Sequence, residues 1–173
     1  MSEIQKTNEF VGATVSAKQA ENFGELLNKP PKASKIKRNK FANNAKYLSI
    51  SEYEMKMDLM FFGQWSSKLV GQPQILGNSC VVSVEVSFLH PTTGNWLTRA
   101  GTGAQDVQCD SNGRALGKAL IKAVPSAKSI AFKNACKSIG KMFGRDLNRE
   151  DEATFVKTAE AISNIVNPAN DGE

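Results

Sequence analysis

Three lysines recur at four-residue intervals in a segment whose apolar residues repeat as they do in a helix: Lys133, Lys137 and Lys141. At about 100° per residue these lysines fall on one side of a helix, and Asn134 lies beside them. No acidic residue occurs between Ala127 and Arg145, although like charges four residues apart destabilise a helix by about 0.2–0.5 kcal/mol per pair. The spacing therefore favours a row of phosphate contacts over the alternative, an ordinary solvated helix face.

A second group of basic residues lies in a segment that contains no carboxylate: Lys35, Lys37, Arg38 and Lys40. Arginine can bind a phosphate through two parallel hydrogen bonds, whereas lysine acts as a point charge, so Arg38 is the strongest candidate of the four. An unstructured, solvated arm is the alternative for this segment. Residues 28–46 and 114–149 are basic, whereas residues 150–173 contain six acidic residues and one lysine. Such segregation of charge is typical of proteins that bind polyanions.

Composition limits the classes of protein to which the chain can belong. It has 173 residues, a formal charge of +5 and a pI of about 9.1, which fits one domain with flexible ends. No apolar run approaches the roughly 20 residues of a membrane helix. Residues 1–10 do not resemble a signal peptide, so the expected location is the cytoplasm, or a host cytoplasm if the gene is viral. The three cysteines are widely spaced and predict neither a disulfide framework nor a metal site, and no cofactor is expected.

Hydrophobic periodicity predicts the helices that must position the basic residues. Three are predicted in the main part of the chain: from Ser16 to Gly24 and the Pro30–Pro31 pair, from Ser49 or Ser51 to Gly63, and from Pro125 to Gly144. The second of these helices is expected to be largely buried. Residues 105–124 are ambiguous, with a turn at 110–113 and a short helix over 115–124 that Pro125 would interrupt. A weaker helix is predicted over 150–165, and residues 1–14 are expected to be disordered.

The strands are predicted over residues 65–76, 79–89 and 96–104, with a hairpin turn at 91–95. Within 79–89, valine and phenylalanine alternate strictly with polar residues, which is typical of a strand with one buried face. We therefore predict an α+β fold in which a long basic helix packs across an antiparallel three-stranded sheet. The chain divides into three predicted parts: an N-terminal helix and flexible segment (1–34), a DNA-binding domain (35–149) and an acidic C-terminal helix and tail (150–173).

The order and spacing of these segments resemble a known protein family. Residues 47–65, which end in Phe61-Phe62-Gly63-Gln64-Trp65, resemble its first core helix, and residues 82–103 resemble its central hairpin. Residues 126–140 resemble its signature helix most closely. The family is the single-strand annealing superfamily of Rad-fifty-two type, which includes bacterial DdrA-like proteins and phage recombination proteins. The resemblance covers residues 35–149.

The resemblance implies a domain that assembles into homo-oligomeric rings and anneals single-stranded DNA in recombination or repair, without ATP. The strand is expected to be held by its backbone with its bases exposed, which suits annealing because base pairing supplies the sequence information. Lys133 and Lys137 match basic groove residues of the signature helix, and Lys37 or Arg38 matches a basic residue before the first core helix. Asn134 stands where the family often has arginine. A single-strand-binding protein or an exonuclease is a candidate partner.

Other functions are weighed against this one. The sequence has no Gly-x-x-x-x-Gly-Lys-Ser/Thr loop, no convincing catalytic triad and no clear carboxylate cluster, so we do not expect an enzyme. A double-stranded-RNA-binding module has a similar order of elements and a basic final helix, although it is shorter. A protein that protects single-stranded DNA without annealing it has the same sequence signals. Trp65 and Trp96 could stack on bases or could pack against the core and the hairpin.

Overall fold

The computed structural model describes residues 17–40 and 42–149, which form an α+β fold as predicted. The α-helices of this part of the chain are α1 (Ala17–Asn28), α2 (Ile50–Phe61) and α3 (Ala119–Lys137), and short 3-10 turns lie at Ala33–Lys35 and Lys141–Phe143. The strands are β1 (Lys37–Asn39), β2 (Ala45–Tyr47), β3 (Trp65–Leu69), β4 (Gln74–Leu76), β5 (Ser79–Leu89) and β6 (Trp96–Asp106). The expectations for residues 1–14 and 150–165 lie outside the described residues.

The main sheet is built around β5, which is antiparallel to each of its neighbours. Strand β6 lies along one edge of β5, and β3 and β4 follow one another along the other edge. Pairing with β5 breaks after Leu69 and resumes at Gln74, because the intervening residues include Gly71 at φ 75° and Pro73, which has no N–H for the ladder. The prediction of one strand over 65–76 is therefore wrong, and the sheet has four strands rather than three.

The alternation predicted for β5 is confirmed. Its buried side chains are Cys80, Val82, Val84, Val86 and Phe88. Helix α3 packs across this face and against β6, and the ring of Phe61 on α2 lies 4.3 Å from that of Phe88. The core therefore lies between one face of the sheet and the two helices.

Small residues bring α3 unusually close to β6. A Cβ atom placed on Gly101 would lie 2.3 Å from the carbonyl oxygen of Ala131 and 2.3 Å from the amide nitrogen of Ala135. A Cβ atom on Gly103 would lie 2.4 Å from the carbonyl oxygen of Ala127. The two backbones are thus in direct contact, and the three alanines are fully buried. Because this stripe of alanines faces the sheet, the basic side of α3 is turned outward.

The predicted start of the long helix is wrong. The turn at 110–113 is confirmed, since the amide of Gly113 donates to the carbonyl oxygen of Asp110 at 3.0 Å. Helix α3 then begins at Ala119, so Pro125 lies inside it rather than at its first turn. A proline there removes one helical hydrogen bond, but buried alanines lie on both sides of it, Ala123 before and Ala127 after, and the helix packs against β6. Packing against β6 therefore outweighs the local preference of proline for a helix start.

The predicted end of the same helix is also wrong, because α3 stops at Lys137 rather than at Gly144. Gly140 takes an extended conformation with φ −176°. Arg145 then folds back and donates hydrogen bonds to the carbonyl oxygens of Lys137 (3.1 Å) and Ser138 (2.8 Å). These bonds satisfy carbonyl groups that a helix terminus leaves without partners, and they place a cation at the negative end of the helix dipole.

Helix α2 begins after Ser49 and ends at Phe61. The next two residues have left-handed φ angles, 53° at Phe62 and 71° at Gly63. No side-chain hydrogen bond from Ser49 caps the start of this helix, and the hydroxyls of Ser49 and Ser51 share a hydrogen bond with each other. The expectation that this helix is largely buried is wrong on one side: Leu59 is 68% exposed and Phe62 is 78% exposed. An apolar surface is therefore left open along α2.

Helix α1 passes through Gly24 and ends at Asn28, before the two prolines, so the expectation that Gly24 helps to end it is wrong. Its Phe23 ring contacts the ring of Phe61 with centroids 6.3 Å apart. Leu27 lies so close to Gly140 that a Cβ atom there would be 2.6 Å from Leu27 Cγ. These contacts join α1 to the core and to the segment that follows α3.

A hairpin of β1 and β2 lies in the basic segment that contains Lys37, Arg38 and Lys40, where no strand is predicted from the sequence. Its turn uses Asn43 and Asn44 at φ 46° and 54°, a conformation that asparagine tolerates better than most residues. The side chain of Asn148 accepts from the amide of Lys46 and donates to its carbonyl oxygen, both at 2.8 Å. This distant asparagine therefore ties the hairpin to the chain that leaves α3.

Candidate nucleic-acid interface

Three of the predicted site residues lie together on α3: Lys133, Asn134 and Lys137. We refer to them as the α3 cluster. The amide nitrogen of Asn134 donates to the carbonyl oxygen of Thr102 on β6 at 2.9 Å, and its amide oxygen accepts from Lys137 Nζ at 3.3 Å. Asn134 is therefore engaged in positioning Lys137 next to the outer edge of β6.

The α3 cluster holds two ammonium groups in unfavourable surroundings. Partial burial lowers the pKa of Lys133, and the charge of Lys137 lowers it further. Burial also lowers the pKa of Lys137. Among residues 17–40 and 42–149, neither lysine forms an ion pair with a carboxylate. An anion bound between them would offset both effects, because it would supply the opposite charge that neither lysine finds among the described residues.

Lys141 does not extend this cluster. It lies on the 3-10 turn after α3, and its ammonium pairs with Asp146 at 3.5 Å while the two side chains are only 16% and 10% exposed. Asp146 also pairs with Arg149 at 3.3 Å. The four-residue spacing predicted a continuous row, but the helix ends at Lys137, so the row contains two lysines rather than three.

The hairpin carries the second predicted group. Lys37 and Arg38 are exposed on β1, and Lys40 is exposed in the turn that follows. Arg38 lies directly opposite Lys46 in the register of the two strands. Like charges in directly opposite positions destabilise a hairpin, so this pair is a second place where the fold juxtaposes cations. Lys46 was not among the predicted site residues, because its partner becomes visible only when the hairpin register is known.

Lys35 is separated from the other basic residues of its segment. It lies in the 3-10 turn before the hairpin, and its ammonium pairs with Glu52 of α2 at 2.7 Å. Within the part of the chain that the structure describes, no hydrogen bond joins Lys37, Arg38 or Lys40 to the α3 cluster. The link between the two basic surfaces is indirect and runs through residues 145–148, which cap α3 at one end and hold β2 at the other.

The two tryptophans have different surroundings. Trp65 donates from Nε1 to Asp58 Oδ1 at 2.7 Å, and its ring centroid lies 5.6 Å from that of Phe132. These contacts fit the alternative in which Trp65 packs against the core. Trp96 is 58% exposed at the start of β6. Of the two, Trp96 is therefore the ring that a base could reach.

The cysteines and acidic residues form no chemical centre in the described part of the chain. Among these residues no group of three His, Cys, Asp or Glu side chains is placed to hold a metal ion. Cys80 and Cys136 are buried, and burial raises the pKa of the Cys136 thiol to about 12. A thiol with so high a pKa is a poor nucleophile at neutral pH.

The candidate site is a basic surface. It offers two juxtaposed pairs of cations, Lys133 with Lys137 and Arg38 with Lys46, whereas the exposed Trp96 lies on the face of the sheet opposite α3. None of the described helices is both long enough and apolar enough to span a membrane. No protein-family model matches the chain, and no curated protein is significantly similar to it.

Proposed function

We propose that this protein binds single-stranded DNA through its phosphate backbone and anneals complementary strands without ATP. The observation that carries the proposal is the α3 cluster. Burial lowers the pKa of both Lys133 and Lys137, the charge of Lys137 lowers that of Lys133 further, and neither lysine has an acidic partner among the described residues. A surface that keeps uncompensated charge at a cost in stability is best explained by an anionic ligand. The resemblance of residues 126–140 to the signature helix of annealing proteins supports DNA as that ligand.

A single strand suits the shape of the site better than a duplex. In the α3 cluster, Lys133 and Lys137 lie one turn of helix apart beside the edge of β6. Such a site can follow one phosphate backbone, and bases that point away from it stay available for pairing.

Annealing also calls for several binding sites acting on one strand, which an assembly of identical chains supplies. Among the described residues, the outer edges of β3 and β6 pair with no other strand. Free edges of this kind can pair with another chain. We propose that copies of the chain join through such edges into a ring or an open helical form.

The test is an annealing assay with complementary oligonucleotides, one carrying a donor and the other an acceptor fluorophore, without nucleotide and with a chelator present. We expect the protein to accelerate annealing and to show the same rate after ATP is added. A strict requirement for ATP hydrolysis would refute the mechanism. Binding without acceleration would assign the protein to single-strand protection, and preference for duplex RNA in a competition would assign it to the RNA-binding alternative.

A further inference from the structure

An apolar groove lies between α1, the segment 29–35 and α2, on a different part of the surface from the α3 cluster. Its walls carry four apolar side chains that are each more than 40% exposed: Leu26, Met55, Leu59 and Phe62. Two cavities of about 270 and 350 Å³ adjoin along the groove, because Leu26 and Leu59 line both of them. Contiguous exposed apolar surface of this kind marks an interaction site.

The rim of the groove is basic. Four lysines line it or border it: Lys29, Lys32, Lys35 and Lys56. Lys35 pairs with Glu52, and Lys56 donates to the carbonyl oxygen of Met142 at 2.6 Å. Lys29 and Lys32 form no ion pair with any described residue, so their charges are available to an occupant. The fitting occupant is therefore an amphipathic helix with acidic residues near its apolar side.

The chain itself contains such a segment. Residues 153–166 place Phe155, Ala159, Ile162 and Val166 at intervals of four, three and four, which is the spacing of one side of a helix. Three consecutive acidic residues precede it at 150–152, and Glu160 lies within it. The charge of this segment is thus opposite to that of the rim.

A series of contacts connects the groove with the end of the described part of the chain. Met142 lines the larger of the two cavities. Its neighbour Lys141 pairs with Asp146, and Asp146 pairs with Arg149, the last described residue. From Arg149, the three residues 150–152 can span up to about 10 Å before the amphipathic segment begins. The chain therefore leaves the fold within reach of the groove.

From these observations we infer that residues 153–166 dock into the groove between α1 and α2 of the same chain, with Phe155 and Ile162 against Leu26 and Leu59. The acidic residues 150–152 then face Lys29 and Lys32. Because a tethered segment has a high effective concentration, modest contacts suffice to keep it bound. This inference concerns a surface that the proposed function does not use.

Trypsin provides the first test, because Lys157 is the only basic residue in 150–173. The Leu59→Asp variant should expose the segment, and the peptide bond after Lys157 should be cut faster than in the unchanged full-length chain by about tenfold or more, which corresponds to a docking free energy of about 1.4 kcal/mol. The matched control is Leu76→Asp, which changes a similarly exposed leucine on β4 and should leave the rate unchanged. Equal rates in all three proteins, each shown to be folded by circular dichroism, would overturn the inference.

A cross-link provides the second test and does not depend on weakening the fold. Leu59→Cys and Ile162→Cys are combined with Cys109→Ser, which leaves only the buried native thiols of Cys80 and Cys136. On mild oxidation of the full chain at low concentration we expect a disulfide within one chain, identified by mass spectrometry. A disulfide found only between chains, or none at all, would overturn docking within the chain. DNA binding is measured on the same proteins, so a failure of the proposed function would be seen separately.

Discussion

Lys133 and Lys137 lie one helical turn apart, and the side chain of Asn134 holds the second of them in place. Burial and mutual repulsion lower the pKa of Lys133. Both effects oppose the charged form, so the free protein keeps these ammonium groups at a cost in stability. The negative charges of a bound phosphate backbone would instead favour the ammonium form of both lysines. This difference between the free and the bound protein gives two predictions for the same residues.

The first prediction concerns salt. If each lysine contacts a phosphate, the Lys133→Ala and Lys137→Ala variants should each reduce the magnitude of the slope of log affinity against log salt by about 0.7 on single strands. The effect should be similar for every sequence, because backbone contacts do not read bases. Fluorescence anisotropy over a salt series measures the slope.

The control for this experiment is Lys68→Ala. Lys68 carries the same charge but lies on β3, away from α3, and its ammonium pairs with Glu85 of β5 at 3.0 Å. Its removal should leave the slope unchanged. If the double variant Lys133→Ala/Lys137→Ala is folded and retains the original slope, the α3 cluster is a solvated face, and the DNA is to be sought on the hairpin of Arg38 and Lys46.

The second prediction concerns pH. The folded-state pKa of Lys133 is below its ordinary value of 10.5, so the ammonium begins to deprotonate at a lower pH than in the unfolded chain. The free-energy cost of holding the charge is complete below the folded pKa and disappears as the pH rises to 10.5, so this group's contribution to stability rises with pH in that window. Bound phosphates raise the pKa again, and binding in that window should therefore take up protons.

Calorimetry of DNA binding in two buffers with different ionisation enthalpies measures this proton uptake. The matched variant is Lys133→Arg/Lys137→Arg, which keeps both charges but replaces groups that titrate here with guanidinium groups that do not. We expect this variant to bind DNA and to lose the proton uptake. Uptake that is the same in both proteins would contradict the proposed placement of the phosphates.

The packing of α3 on β6 decides where the basic side of the helix points. We predict that Gly101→Ala destabilises the protein by about 1–3 kcal/mol or more, because its Cβ atom would overlap the backbone of α3 at 2.3 Å. Gly117→Ala is the control, since a Cβ atom there meets nothing within 4 Å, and it should change stability by less than about 1 kcal/mol. Urea unfolding measures both values; equal losses in the two variants would show that close contact does not hold α3.

The elements also show which parts of the fold the sequence predicts. Strand β5 was predicted well because its alternation repeats over the whole strand and reports burial directly. The predicted start of α3 is wrong because proline is typical of a first turn. Pro125 instead lies inside the helix, which packs against Gly101 and Gly103 of β6, both distant in the sequence. The β1–β2 hairpin was missed because its strands lack apolar alternation and depend on Asn148, about a hundred residues later. Helical spacing predicts the positions of Lys133 and Lys137 correctly, because both lie on α3. It fails for Lys141, because the helix ends at Lys137.

Among the described residues no strand pairs with the outer edge of β6, and this edge bears on the proposed assembly. The carbonyl oxygen of Thr102 accepts from Asn134 and therefore points away from β5. In an antiparallel strand, the N–H and C=O groups of one residue point the same way and alternate along the strand. Ala100, two residues earlier, therefore directs its N–H outward, toward any neighbouring chain.

This geometry gives the last prediction, that Ala100→Pro weakens assembly without unfolding the subunit. Proline removes the outward N–H but no hydrogen bond to β5, and edge strands tolerate it at such positions. Ala100→Thr is the control, because it keeps the N–H and suits a strand. Light scattering should show a closed or helical oligomer for the parent chain and for Ala100→Thr, and a smaller mass for Ala100→Pro, with unchanged far-ultraviolet circular dichroism. A parent chain that is monomeric both with and without DNA would exclude the assembly, whereas an unchanged mass for Ala100→Pro would move the contact from β6 to another surface.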